Sequence, residues 1–191
     1  QDFKNKNFIL TGYSSGIGNQ IYKHLYNLGA NLILIGRKTK KNTNFYKCDL
    51  SNDFFLEKVV KKISKKYKRI DGFVHCAGMN QCLLSEKITL SDWQNIMSVN
   101  LTSAFIISKG IKKNLKKSNN SSIVFISSIA GHRKSIVSGA HYVASKAALI
   151  GLSRQLSHEF GKDGIRVNCV SPSQTLTKML KKSMNKSQIS R

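Results

Sequence analysis

Short apolar runs alternate along this chain with longer segments in which apolar residues recur at helical spacing. The short runs predict β-strands. Most of them are continuously apolar, which is typical of parallel strands that helices cover on both faces. We expect six strands, at 8–11, 32–36, 45–49, 72–76, 123–127 and 166–170. The alternation indicates repeated β-α units around a parallel sheet.

The longer periodic segments predict the helices that connect these strands. We expect four helical segments, at 17–28, 55–67, 91–117 and 139–160. Gly29 follows the first segment where a left-handed cap would lie, and Ser51 or Asn52 is able to cap the second. The link 37–44 is too short for a helical crossover and predicts an irregular basic loop. Together these elements predict an α/β fold with a doubly wound parallel sheet of Rossmann type, in three α/β/α layers.

The length of 191 residues leaves room for one well-buried core rather than two, so we expect a single domain over 1–191. No apolar run approaches the roughly 20 residues of a membrane helix, and the amino-terminal segment is polar. These features predict a soluble protein without a signal peptide. The four cysteines match neither a zinc framework nor a disulfide scaffold, which favours reduced thiols, a cytoplasmic location and no metal site.

The charge of the chain is strongly positive, with a formal net charge of +23 and a pI near 10.1. Such a balance favours polyanions as partners. Much of the charge lies in 58–68 and 109–117, where lysines interleave with apolar residues at helical spacing. That spacing indicates solvent-exposed helix faces. Nucleic acid stays open as an alternative partner, although the sequence has no recognised nucleic-acid module.

A glycine-rich segment follows the first predicted strand directly and leads into the first predicted helix. It reads Thr11-Gly12-Tyr13-Ser14-Ser15-Gly16-Ile17-Gly18. Glycines permit a tight turn and a close approach of the backbone, and the start of a helix offers N–H groups to a pyrophosphate. The segment therefore predicts a dinucleotide-binding loop made of Gly12, Ser14, Ser15, Gly16, Ile17 and Gly18.

The spacing T-G-x-x-x-G-x-G resembles that of the short-chain dehydrogenase/reductase family, and further motifs of that family follow in order over 7–179. Asp49-Leu50 resembles its adenine-contacting pair and Cys76-Ala77-Gly78 its N-A-G turn. The stretch from Val167 to Pro172 resembles the strand and turn that precede the nicotinamide. The resemblance implies cofactor contacts from Asp49, Leu50, Cys76, Ala77, Gly78, Pro172 and Thr177, besides Tyr142 and Lys146. It also implies hydride transfer between a nicotinamide cofactor and a carbonyl or alcohol.

The resemblance assigns catalysis to Asn100, Ser128, Tyr142 and Lys146. Tyr142 and Lys146 are one helical turn apart and should project from the same helix face. A free phenol has a pKa of about 10, and a nearby ammonium favours the phenolate, so we expect Lys146 to lower the pKa of Tyr142. The family further implies that Ser128 orients the substrate oxygen and that Asn100 holds a water on the proton path. In the family this lysine also binds the nicotinamide ribose.

Three features depart from the family pattern. Cys76 replaces the usual Asn of the N-A-G turn, and we expect the polar hold on that strand end to be weaker. Ser173 stands where the family usually has Gly after the proline. The interval from Ser128 to Tyr142 is one residue longer than is common, which leaves Ser127 as an alternative to Ser128.

The end of the second predicted strand bears on the choice of cofactor. It reads Gly36-Arg37-Lys38, with two cations and no carboxylate. Enzymes that prefer NAD place an acidic residue here for the ribose hydroxyl, whereas NADP requires a cation for its phosphate. The sequence therefore favours NADP(H) over NAD(H).

The substrate is less determined than the cofactor. The pattern most resembles 3-oxoacyl-(acyl-carrier-protein) reductases, which implies a small-molecule or acyl-carrier-bound carbonyl substrate. A sugar or another small alcohol stays open, as does a nucleotide-binding protein without catalysis. The family's substrate lid begins near Leu176, so we expect the chain to be truncated in the lid and a full-length form to be a homo-oligomer.

Overall fold

A parallel sheet of six strands forms the centre of the protein, which we describe from a computed structural model covering residues 2–39, 44–177 and 179–180. The strands are β1 (Asn7–Thr11), β2 (Asn31–Gly36), β3 (Asn44–Lys47), β4 (Gly72–His75), β5 (Ser122–Ile126) and β6 (Arg166–Val170). Their order in the sheet is β3-β2-β1-β4-β5-β6, and all neighbours run parallel. The winding therefore reverses between β1 and β4. At such a switch point the carboxyl ends of the strands open a crevice for ligands.

All six predicted strands are confirmed, with ends that differ by at most two residues. The largest difference is at β3, which ends at Lys47 rather than at Asp49. Asp49 turns the chain instead, since its carboxylate accepts hydrogen bonds from the Ser51 N–H at 3.0 Å and from the Ser51 hydroxyl at 2.8 Å. Of the predicted basic loop, residues 40–43 lie outside the described residues, and residues 37–39 are irregular as expected.

In the described residues up to Thr177, five α-helices accompany the sheet: α1 (Gly16–Asn27), α2 (Asp53–Lys66), α3 (Leu90–Met97), α4 (Ser103–Leu115) and α5 (Ala140–Gly161). The helical segment predicted over 91–117 is thus two helices, which a π-helical turn at Ser98–Thr102 connects. Gly29, just after α1, has φ of +79° as a left-handed cap requires. Asn52, rather than Ser51, caps α2, since its side chain accepts the Phe55 N–H at 2.9 Å.

Successive residues of the central strands are buried on opposite faces of the sheet, so both faces are covered. In β1, Ile9 packs in the core that α2, α4 and α5 share, and Leu10 packs in a second core against α1. In β2, Ile33 belongs to the first of these cores and Leu34 to the second. The predicted three-layer α/β/α fold is confirmed.

The lysine-rich segments lie on the outer faces of two helices, as their spacing predicts. The lysines of α2 are all exposed, whereas Leu56, Val60 and Ile63 between them are buried. Of the α4 lysines, Lys112 forms an ion pair of 3.0 Å with Asp163. None of the helices in the described part of the chain is long and apolar enough to cross a bilayer.

Candidate active site

Two adjoining cavities open at the carboxyl ends of the strands. The first, of about 540 Å³, extends from the glycine-rich loop to the ends of β2 and β4. It is lined by residues 12–18, 35–38, 48–51 and 76–79 together with Tyr142, Lys146 and Thr177, among others. The second, of about 480 Å³, lies beside Ser128, Pro172 and the segment 133–138. Tyr142 lines both cavities and therefore stands where their contents would meet.

The glycine-rich loop has no room for side chains at two of its glycines. Gly12 has φ of +70°, and a Cβ there would lie 2.5 Å from the Ala77 nitrogen. A Cβ on Gly18 would lie 2.7 Å from the Gly12 carbonyl carbon. α1 begins at Gly16, and the side chain of its N-cap residue Ser15 makes no capping hydrogen bond. The first turn of α1 thus presents backbone N–H groups to the cavity, which is the arrangement that binds a phosphate.

Hydrogen bonds from neighbouring elements hold the turn after β4. The Thr11 hydroxyl oxygen accepts the Ala77 N–H at 3.2 Å and lies 3.0 Å from the Nδ1 of His75. The Asn100 side chain accepts the Met79 N–H at 2.8 Å and donates to the Met79 carbonyl at 3.0 Å. Thr11 and Asn100 thus hold the backbone at Ala77 and Met79, directly after Cys76. The weaker polar hold expected from Cys76 stays a prediction.

Asn100 is fully buried in the π-helical turn behind the cavity rather than in its wall. Besides holding Met79, its amide donates to the Ser145 hydroxyl at 2.9 Å, and that hydroxyl donates to the Tyr142 carbonyl at 2.7 Å. Asn100 therefore links the turn after β4 to the helix that carries Tyr142 and Lys146. The π-helical turn places it there, and π-helical turns are frequent at functional sites.

The structure brings Ser128, Tyr142 and Lys146 together. The Ser128 side chain makes a hydrogen bond with the Tyr142 phenol and also accepts the Ala130 N–H at 3.1 Å. The Lys146 ammonium donates to the Ile126 carbonyl at 2.9 Å and lies 5.7 Å from the centre of the Tyr142 ring. Ser127 lines both cavities, but its hydroxyl is already engaged, since it donates to the Lys146 carbonyl at 2.8 Å. The geometry favours Ser128 over Ser127 as the residue that faces a substrate.

The pKa of Tyr142 differs from the expectation. Burial raises the pKa of the phenol above its usual value, and the hydrogen bond with Ser128 opposes that rise only in part. Burial also lowers the pKa of the Lys146 ammonium to about 8. The pKa of Tyr142 is thus raised and not lowered as the sequence predicts, because desolvation is the largest cause of the shift. The phenol is therefore neutral and able to donate its proton at neutral pH.

The far end of the first cavity is positively charged. Arg37 is exposed, and its Nη1 lies 3.9 Å from the Oδ2 of Asp49. The hydrogen bonds from Ser51 keep the pKa of the Asp49 carboxyl below its usual value, so Arg37 has a charged partner. Leu50 is buried beneath them. Lys40 and Lys41, which the sequence adds to this field, lie outside the described residues.

A family model described as short chain dehydrogenase matches residues 6–188. The chain belongs to the short-chain dehydrogenase/reductase family. Its curated relatives include the 3-oxoacyl-(acyl-carrier-protein) reductase FabG of Chlamydia trachomatis serovar D, with 31% identity over 93% of this chain and 77% of the relative. The chain is thus an oxidoreductase of that family, as its sequence predicts.

Solved structures of the short-chain dehydrogenase/reductase family share the fold with either cofactor bound. A short chain dehydrogenase from Shigella flexneri complexed with NADP superposes with a TM-score of 0.86, at 28% identity over 96% of this chain and 84% of the other. An oxidoreductase from Brucella ovis in complex with a partially ordered NAD gives a TM-score of 0.82, at 28% identity over 88% and 83%. The fold is therefore compatible with both cofactors.

Most of the residues that the family resemblance singles out line the first cavity, with three exceptions. Ser128 and Pro172 line the second cavity instead, and the Pro172 carbonyl accepts the Ile129 N–H at 3.0 Å. Asn100 lies behind the wall. Thr177 packs over the glycine-rich loop, since its Cγ2 lies 3.1 Å from where a Cβ on Gly16 would be.

Two residues of the site are not predicted by the sequence motifs. Ser145 connects Asn100 to Tyr142, and its place directly before Lys146 on the same helix face as Tyr142 is a signal that spacing alone could have given. Tyr13 occupies a variable position of the glycine-rich loop, yet its side chain is buried and reaches the end of β2. No pattern in the sequence indicates that contact.

Proposed function

We propose that this protein is an NADP(H)-dependent reductase of carbonyl substrates, related in reaction to 3-oxoacyl-(acyl-carrier-protein) reductases. The observation that carries the proposal is the position of Tyr142 on the wall that the two cavities share. A neutral phenol there is able to reach a carbonyl oxygen in the second cavity while the first cavity holds the hydride donor.

The first cavity fits a nicotinamide dinucleotide. A Cβ on Gly12 or Gly18 would collide with the backbone, so these glycines let the loop pack closely and bring the start of α1 to the cavity wall. The start of α1 would hold that pyrophosphate, Arg37 the adenosine end, and Lys146 and Thr177 the nicotinamide end. When bound, the cofactor supplies or accepts a hydride.

The side chains of the protein handle the proton and the substrate oxygen. In reduction the carbonyl carbon gains a hydride and its oxygen gains a proton, which the Tyr142 phenol donates. Ser128 is hydrogen-bonded to that phenol and holds the same oxygen. The Lys146 ammonium compensates the phenolate that remains, and Asn100 is a positioning residue that fixes the helix carrying Tyr142 and Lys146.

The pH dependence of reduction should follow the Lys146 ammonium. Its pKa is lowered to about 8, so the charge that stabilises the Tyr142 phenolate is present below that pH and is lost above it. We expect kcat/KM for carbonyl reduction to be level from neutral pH to near pH 8 and then to decline. Lys146→Met should remove this inflection along with most of the rate. A rate that rises steadily with pH would contradict the assignment.

Arg37 supports NADP(H) as the preferred cofactor. It lies beside Lys38 as one of two exposed cations at the end of β2, where the ribose 2′-phosphate of NADP would add two negative charges. We expect Arg37→Asp to raise the Kd for NADPH by about 100-fold while the Kd for NADH changes little or falls. Fluorescence titration of both cofactors measures this. Equal losses for both would refute the assignment of Arg37 to the 2′-phosphate.

An acyl-carrier-bound substrate is supported by the relative with that name and by the charge of the second cavity. Exposed Arg133 and Lys134 lie on its lining, and exposed Ile136 beside them offers apolar surface to an acyl chain. The test is NADPH oxidation with acetoacetyl carrier protein, with free acetoacetate and with a hexose as alternative substrates. A kcat/KM for the carrier-bound substrate that exceeds the others supports the proposal, and a preference for the sugar overturns it. The cytoplasmic location and the homo-oligomer stay predictions.

A further inference from the structure

Tyr13 connects the glycine-rich loop to the segment that carries Arg37. Although it belongs to the loop, its side chain is only 2% exposed and packs in the core beneath α1 with Leu32 and Leu34 of β2. The ring extends along β2 to its carboxyl end. Tyr13 therefore lies under the cofactor cavity and touches both of its ends.

Two contacts of Tyr13 flank Arg37 in the chain. The ring lies against Gly36, where a Cβ would be 3.1 Å from the Tyr13 hydroxyl oxygen and 3.2 Å from a ring carbon. The hydroxyl donates a hydrogen bond to the Lys38 carbonyl. The residue before Arg37 and the residue after it are thus both bound to the same side chain. This leaves the Arg37 backbone little freedom to move.

The Arg37 side chain itself is weakly held. It is 76% exposed, and the Asp49 carboxylate 3.9 Å away is about half exposed. An exposed ion pair of this kind contributes little free energy, so it does not fix the guanidinium in one place. The position of the guanidinium is therefore set mainly by the backbone. Tyr13 holds that backbone together with the Cys48 N–H, which donates to the Gly36 carbonyl at 2.9 Å.

The Tyr13 hydroxyl stays protonated and able to donate its hydrogen bond at every working pH. Burial raises the pKa of the phenol to about 12, so the group keeps its proton over the whole working range of pH. Removing the hydroxyl removes this hydrogen bond and leaves the Lys38 carbonyl without the Tyr13 donor.

We propose that Tyr13 is a positioning residue for cofactor specificity, which holds the Gly36–Lys38 backbone so that Arg37 meets the 2′-phosphate of NADP(H). The inference rests on the proposed preference for NADP(H). It adds a second determinant of that preference, one that touches neither the phosphate nor the adenosine. It also implies that the loop for the pyrophosphate and the segment for the 2′-phosphate move as one unit.

The test is a double-mutant cycle on cofactor affinity. Tyr13→Phe keeps the ring against Gly36 and removes only the hydrogen bond to Lys38. We expect it to raise the Kd for NADPH about five- to tenfold and to leave the Kd for NADH within about twofold. In an Arg37→Ala background the effect of Tyr13→Phe on NADPH affinity should be clearly smaller, because of the two cations on the held backbone only Lys38 remains.

The matched control is Tyr26→Phe, which removes a hydroxyl from an exposed tyrosine of α1 and should alter neither Kd. Adenosine 2′,5′-bisphosphate and 5′-AMP serve as probes without the nicotinamide, and only the first should bind more weakly to Tyr13→Phe. If Tyr13 had only a structural role, Tyr13→Phe would weaken the binding of NADH and of NADPH equally. That result would overturn the inference. The inference would also be overturned if Tyr13→Phe lowered NADPH affinity just as much in the Arg37→Ala background. If Arg37→Ala alone fails to discriminate between the cofactors, the proposed preference for NADP(H) is what has failed.

Discussion

Tyr142→Phe is expected to reduce turnover about 1000-fold and to leave NADPH affinity within about twofold. Without the hydroxyl, hydride transfer would leave an alkoxide with no donor in reach, since Ser128 serves the same oxygen only as a hydrogen-bond partner. The Phe ring preserves the packing between the two cavities, so the cofactor should still bind. Steady-state NADPH oxidation gives the rate, and a titration of the same preparation gives the affinity.

Two controls separate chemistry from structure in this experiment. Tyr26→Phe removes a hydroxyl elsewhere and should retain full turnover. Ser128→Ala should keep NADPH affinity and lose part of the rate, because Ser128 lies in the second cavity. If Tyr142→Phe turned over normally, the proton would come from another group and the proposed mechanism would be wrong.

Gly18→Val is expected to abolish detectable NADPH binding, a loss of at least about 100-fold in affinity. Its Cβ would lie 2.7 Å from the Gly12 carbonyl carbon and 3.2 Å from the Cys76 sulfur, so the loop must open where the backbone approaches the pyrophosphate. Isothermal titration with NADPH measures the loss. Thermal unfolding of the free protein tells a local change of the loop from general unfolding.

Gly151→Val is the matched control for this substitution. Gly151 lies within α5, and a Cβ there meets no atom within 4 Å, so the same side chain is accommodated without strain. Gly18→Ala is the milder variant if Gly18→Val fails to fold. It should still lower the affinity for NADPH by about tenfold or more. Normal NADPH binding by a folded Gly18→Val protein would show that the pyrophosphate lies elsewhere.

The sequence predicts what local patterns determine. The strands are short apolar runs with turn residues at their ends, and the glycine-rich loop is contiguous, so the pattern of residues alone is enough to place both. Asn52 and Ser51 are equally good caps by type, and only the fold decides between them. The early end of β3 depends on how the Asp49 side chain folds back on Ser51, which propensity does not encode.

The parts that sequence alone does not predict depend on burial. The raised pKa of Tyr142 reflects desolvation by burial, which spacing along a helix does not show. Pro172 lies in the second cavity because the chain after β6 turns towards Ile129, a contact between distant segments. The burial of Tyr13 is likewise a tertiary contact, since nothing near it in the chain requires the ring to pack on Gly36.

The number of residues in the π-helical turn at Ser98–Thr102 fixes how α4 is rotated relative to α3. Each residue of an α-helix turns the chain by about 100°, so one residue more or less rotates everything beyond it by that angle. α3 packs against α5, and α4 packs against α2. The π-helical turn thus allows two nearly continuous helices to pack against different partners. Deleting a single residue there would rotate α4 against α3 and turn its buried Ile107 and Ile111 away from the core. The segment should therefore tolerate changes of residue type far better than insertions or deletions.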